Sequence, residues 1–175
     1  APWARKEMVK ECAGSDVQKM YPGPGTPPDQ ELQDNWTWDT FLVAAEKCFK
    51  AGHPFGVGLS TCTDALNMVG AMFASYGVHL VDPKGNITVK TDGVRQALEY
   101  YKKLSQFLPP DAPAWDNASN NKYLVSGKGA LIMNPPSAWP VATPDAPEAA
   151  APLWPHGMPT GPKRRHPPYP PHLGR

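Results

Sequence analysis

Apolar residues recur most clearly in the middle of the chain. Phe41, Leu42, Ala45, Cys48 and Phe49 fall at helical spacing behind Thr37, a residue suited to cap a helix start. Gly52 stops this helix and Pro54 prevents its resumption. Residues 55–60 then read as a short strand. Thr63 or Asp64 opens a second helix carrying Leu66, Val69, Met72 and Phe73, ended by Gly77. Two apolar runs flank residues 82–86, where Pro83 presets one turn residue and Gly85 supplies a positive φ, so a hairpin or extended pair is predicted. Asp92 starts a third helix with the stripe Val94, Leu98, Tyr101, Leu104 and Leu108, and Pro109-Pro110 ends it. Asn117 or Ser119 begins a short helix up to Ser126, followed by a glycine break and an apolar strand over 130–133. A short helix around 7–12, closed near Gly14, and a loop over 21–30 precede these elements. Short strands alternating with helices make the chain α/β. The core is expected in residues 37–134, with Phe41, Leu42, Phe55, Val57, Leu66, Val69, Phe73, Leu98, Tyr101, Leu104, Leu131 and Ile132 buried.

Proline changes the picture at one end. Eleven of the 23 prolines fall among residues 140–175. That density forbids helix interiors and central strands, so the tail is expected to be extended or irregular. The predicted organisation is an entry segment and loop over 1–36, an α/β core over 37–139 and a proline-rich tail over 140–175.

Charge and motifs mainly exclude. A net charge of +1 with 19% charged residues gives no field to steer the chain to nucleic acid or an anionic membrane. No run of 18 apolar residues offers a membrane span. The first ten residues lack the apolar region of a signal peptide, and the absent initiator Met suits a processed chain or a fragment. Cys12, Cys48 and Cys62 are odd in number and lack C-x-x-C spacing, which indicates neither a disulfide framework nor a zinc site; they read as small buried or half-buried thiols. Gly127-Lys128-Gly129 is a glycine turn, since the pattern of a phosphate loop is not met. His156, His166 and His172 match no zinc spacing, and Lys163-Arg164-Arg165 reads as a solvated basic triplet. There is no nucleophile elbow and no usefully spaced carboxylate pair. No enzyme activity, cofactor or metal is expected.

The aromatic residues point elsewhere. Trp36, Trp38, Trp115, Tyr123 and Trp139 sit at or near predicted element ends, whereas a core tryptophan usually falls inside a periodic stripe. Trp115 lies beside Asp116 and Asn117, and Trp139 lies just past Asn134 and Ser137. A ring face packs on the apolar face of a pyranose while amides and carboxylates bond its hydroxyls. The bland reading is that both rings cover a core edge.

The ordered set "TWDTFLVAAEKCFKAG", "PFGVGL", "MVGAMFASYGVHLVDPKGNITVKTDGVRQALEYYKKL", "ASNNK" and "YLVSGKGALIMNPPSAW" resembles the extracellular solute-binding proteins of carbohydrate ABC transporters, the maltose-binding-protein-like group. The resemblance runs from about residue 3 to residue 139 and extends more weakly to Pro162. It implies most of one lobe of a two-lobed periplasmic-binding-protein fold, with the N-terminal lobe preceding residue 1. It implies sugar capture for an ABC importer without chemistry, impaired here because half the ligand contacts would come from the other lobe. A carbohydrate ligand and the permease subunits are the implied partners, and the periplasm or cell exterior is the implied location of the parent protein. It implies that a strand ends at the cleft, that Pro135 and Pro136 turn the chain there, and that Trp139 stacks on the sugar, with Asn134 and Ser137 on the same turn; from the aromatic pattern, Trp115 and Asp116 are expected in support. The family's aromatic near Asn67-Met68 has no counterpart here. The alternative reading is an α/β interaction module whose proline-rich tail, including residues 166–171, docks in a partner's aromatic groove.

Overall fold

The computed structural model describes residues 2–133 and 151–163. Strand β1 (Pro2–Arg5) runs into α1 (Lys6–Ala13), followed by two short helices, α2 (Val17–Met20) and α3 (Gln30–Asp34). The longer helices are α4 (Trp38–Lys50), α5 (Thr63–Ser75) and α6 (Asp92–Leu104); α7 (Ser119–Val125) leads to β2 (Leu131–Met133), and β3 is Leu153–Pro155. The strands form one sheet in the order β2-β1-β3, both pairings antiparallel.

Local chemistry explains where the helices begin. Thr37 accepts the Thr40 N–H while the Thr40 hydroxyl accepts the Thr37 N–H, a reciprocal cap at the start of α4. Thr91, one residue before the expected Asp92, caps α6 by accepting the Val94 N–H. On α4 the buried face is Trp38, Phe41, Ala44, Ala45 and Cys48. Phe41 lies against Trp36, Trp38 and Phe55, with ring centroids 5.8, 5.6 and 5.1 Å away.

Several expectations are corrected. Leu98 and Leu66 are 54% and 62% exposed, so neither is core. On α6 the buried positions are Ala97, Tyr100 and Leu104. Two apolar stripes share the 3.6-residue period on this helix. The inner one is the stripe whose small Ala97 and hydrogen-bonding Tyr100 meet their neighbours: the Tyr100 hydroxyl donates to the Trp38 carbonyl at 2.6 Å. Residues 55–60 form no full strand; Gly56 makes one parallel bridge to Ile132 beside β2. The expected hairpin shrinks to a turn with the single bridge Val81↔Ile87. Asp82 holds that turn by accepting the Lys84 and Asn86 N–H groups at 2.8 Å, while Leu80, Val81, Ile87 and Val89 stay exposed.

Cys12 and Cys48 form a disulfide between α1 and α4, with Cα atoms 4.9 Å apart. They were expected to be separate thiols. Two half-turns of different helices bring them together across 36 residues of sequence, a juxtaposition that no local spacing announces.

The core also extends beyond the expected limits. Trp3, Ala4, Val9, Val17 and Met20 are buried, and β1 is the central strand. Within the segment expected to be irregular, β3 pairs with β1 in the register Trp3↔Pro155, Ala4↔Trp154, Arg5↔Leu153. Proline is tolerated here because β3 is an edge strand, with only one neighbour to supply with N–H groups.

Candidate functional site

Five pieces of chain end at the same place: the segment 57–60, the start of α5, the loop 115–118, the start of α7 and the end of β2. Asn120 joins three of them. It is 3% exposed. Its side-chain amide donates to the Asp64 carboxylate at 2.9 Å and to the Met133 carbonyl at 3.2 Å, while its own oxygen accepts the Asn121 N–H at 2.9 Å. Asn117 accepts the Asp64 N–H at 3.4 Å. The Ser60 hydroxyl donates to the Trp115 carbonyl and accepts the Cys62 N–H at 3.2 Å. Cys62, at the cap position of α5, supplies no side-chain acceptor. In its place Asn117, from the loop, meets an N–H of the first turn of α5. Amides, hydroxyls and the half-buried Asp64 carboxylate make this corner fit for hydroxyl groups of a neutral ligand.

The residues expected to carry the site are divided by the structure. Asn134, Ser137 and Trp139 lie outside the described residues. Met133, held by Asn120, is the last described residue before them. Trp115 is 6% exposed and packs against Tyr123 with centroids 5.1 Å apart, so in this arrangement its indole offers almost no free face. Burial, with the Asp111 charge behind it, pushes the Tyr123 hydroxyl up to about 12, and this neutral group donates to the Pro54 carbonyl at 3.1 Å. Asp116 is exposed and serves its own turn. One carboxylate oxygen accepts the Ser119 hydroxyl at 2.7 Å and the Ala118 N–H at 2.9 Å. The Ser119 hydroxyl, then the Ala118 N–H, hold this carboxyl below its ordinary value. The structure thus brings Trp115 and Asp116 beside Ser60, Asp64, Asn117 and Asn120. The sequence reading gave Asn120 no role. A polar residue in the first turn of a short helix carries no sign that it is buried until the end of β2 is placed against it.

Asn120 should be structurally decisive for this corner. Asn120→Ala is expected to lower stability by about 1–3 kcal/mol, because the Met133 carbonyl and Asp64 lose a buried donor. Asn120→Asp should cost more at neutral pH, since a second carboxylate would face Asp64 and a carbonyl, and should regain part of the loss in acid. Urea midpoints for both variants at neutral and acidic pH measure this; the same loss for both at both pH values would contradict it.

Two open concavities, of about 710 and 740 Å³, lie along α6 and beside the turn 82–86, and neither is lined by the residues of this corner. Among the described residues, no group of His, Cys, Asp and Glu could hold a metal ion, and no helix is long and apolar enough to cross a membrane.

No protein-family profile and no curated protein matches the chain. Solved structures do. The chain is similar to maltose-bound MalE3 of T. maritima, with a TM-score of 0.72 and 18% identity over 94% of this chain and 39% of that one. An ABC transporter solute-binding protein from Thermotoga lettingae bound with α-D-tagatose gives a TM-score of 0.69 at 19% identity, over 91% of this chain and 38% of that one. A sugar transporter from Arthrobacter chlorophenolicus with bound laminaribiose gives 0.67 at 19%, over 92% and 36%. The chain therefore spans under two fifths of the length of these structures. At such identities the likeness establishes the fold, and that fold is part of one lobe of a two-lobed periplasmic-binding protein.

Proposed function

We propose that this chain serves carbohydrate capture for an ABC importer, as part of the solute-binding protein that passes a sugar to the permease subunits. The observation that carries this reading is the likeness over 91–94% of the chain to three proteins described with maltose, α-D-tagatose or laminaribiose bound. The polar corner supports it. The exposed Asp116 and Asn117 at its rim, with the half-buried Asp64, suit sugar hydroxyls at one half of a cleft between two lobes. The Cys12–Cys48 disulfide fits a parent protein that works outside the cytoplasmic membrane, where such bonds persist. The activity is binding and release, with no bond made or broken.

In this reading Trp139 is the principal ligand-facing residue and Asn134, Ser137 and Asp116 support it, while Trp115, its face covered by Tyr123, packs beneath the loop that carries Asp116. Residues 134–139 follow Met133 in the chain, and the Met133 carbonyl belongs to the polar corner. An indole there would cover the apolar face of a pyranose, giving affinity without charge. The test uses a parent protein containing both lobes. Trp139→Ala is expected to abolish the sugar-dependent change in tryptophan fluorescence and to weaken binding by at least ~1–2 kcal/mol. Unchanged affinity for the sugar would remove Trp139 from the site. Failure of the intact parent to bind any mono- or disaccharide would sink the reading as a whole.

A further inference from the structure

Residues 153–163 cross the body as a strap. Beyond the pairing of β3 with β1, the His156 N–H donates to the Pro2 carbonyl at 3.1 Å and the Trp36 indole N–H donates to the Gly157 carbonyl at 3.2 Å. Further along, the Thr160 N–H reaches the Trp36 carbonyl at 2.9 Å and the Lys163 N–H reaches the Ser75 carbonyl at 3.1 Å. The fit leaves no clearance. A Cβ at Gly157 would lie 2.5 Å from the Tyr21 hydroxyl oxygen, and one at Gly161 would lie 2.5 Å from the Ser75 carbonyl oxygen.

His156 plugs the middle of this strap. It is 3% exposed, edge-on to Trp36 at 5.6 Å and tilted against Tyr21 at 6.3 Å. Its Nδ1 faces the Gly157 carbonyl at 3.0 Å, while Nε2 is buried with no hydrogen-bond partner among the described residues. With Nδ1–H donating to that carbonyl, Nε2 is a lone pair in an apolar setting. A second proton would place a charged N–H there with no acceptor. The groups that face it offer no counter-charge. Tyr21 stays neutral, its hydroxyl pushed up to about 12 by burial, and Trp36 and Pro2 carry no charge. We propose that protonation of His156 undocks the strap, so that attachment of residues 153–163 to the body is a pH-dependent contact.

Burial lowers the imidazole to about 4, against the partial help of the Gly157 carbonyl. The undocked strap would titrate near the ordinary histidine value of about 6.5. Docking is then complete above about pH 6.5 and is lost as pH falls toward 4, by up to about tenfold per pH unit. Amide hydrogen exchange on the 175-residue chain tests this, each rate being divided by that amide's intrinsic exchange rate at the same pH. Protection at His156, Thr160 and Lys163 should fall at least ~tenfold between pH 6.5 and 4.5 relative to Ala45 and Cys48 in α4. NMR of the His156 ring should show it charging over the same range. His156→Phe, which keeps an uncharged ring, should flatten the dependence. The proposal is overturned if the strap and α4 lose protection together, if the ratio stays constant, or if the fall persists in His156→Phe.

Discussion

Reduction of the Cys12–Cys48 bridge is expected to lower the stability of the protein by about 4 kcal/mol. The figure follows from the length of chain enclosed, with the two cysteines 36 residues apart. Cutting the bridge frees a loop of that size in the unfolded chain, and the entropy gained there is the main loss to the folded state. The native contacts should largely survive, because α1 and α4 also pack on each other and Cys48 is fully buried among apolar neighbours. A domain of ordinary stability has only about 5–15 kcal/mol in hand, so the bridge decides how far it stands from unfolding. The measurement is a pair of urea titrations, oxidised and reduced. It should be made in a Cys62→Ser background, since Cys62 is a free thiol able to exchange with the bridge. Equal midpoints in the two states would mean that the disulfide adds nothing to the fold.

This bridge marks the boundary of what the residues disclose when read in order. Periodicity located α4 and α5 because each buries one face against neighbours, and the apolar run at 130–133 became β2 because it is covered on both sides. It misjudged α6, where two stripes compete and only the contact between Tyr100 and Trp38 decides. It could not foresee β1 as the central strand. Four residues, with Trp3 and Ala4 between a proline and Arg5, carry little pattern of their own, and their strand character comes from β2 and β3 on either side. Residues 151–163 depart from the expected irregularity for a related reason. Proline density argues against a central strand, yet an edge strand whose own indole reaches out to the body needs few backbone N–H groups. Trp154 donates to the Tyr21 carbonyl at 2.7 Å, so a proline-rich segment becomes a docked one. At the candidate site, composition singled out the loop residues Trp115 and Asp116, which the structure places beside the polar corner with Trp115 buried and Asp116 bonded within its own turn. Asn120 and Asp64 were not, because their significance lies in a contact across 56 residues.

The second large effect is expected at Phe41. Phe41→Ala should lower stability by about 3–5 kcal/mol, the range for removing a fully buried aromatic ring. Phe41 is 0% exposed, and three rings surround it: Trp36, Trp38 and Phe55. Two of these neighbours are anchored by polar contacts of their own, which limits how far they can collapse into the space left. The Trp38 indole donates to the Ser75 hydroxyl at 2.7 Å, and the Trp36 indole donates to the Gly157 carbonyl at 3.2 Å. A cavity that cannot close keeps its full cost. Phe41→Leu fills most of that space and should lose clearly less, about 1–1.5 kcal/mol. Leu98→Ala is the control, since Leu98 is 54% exposed and its truncation should stay within about 0.5 kcal/mol of the parent. Thermal and urea midpoints of the three variants rank these effects. Because Phe41 touches the residue that receives the strap, the alanine variant should also loosen residues 157–160, seen as faster exchange at Thr160. If Phe41→Ala and Leu98→Ala melted alike, the aromatic cluster at the head of α4 would not be the centre of this core.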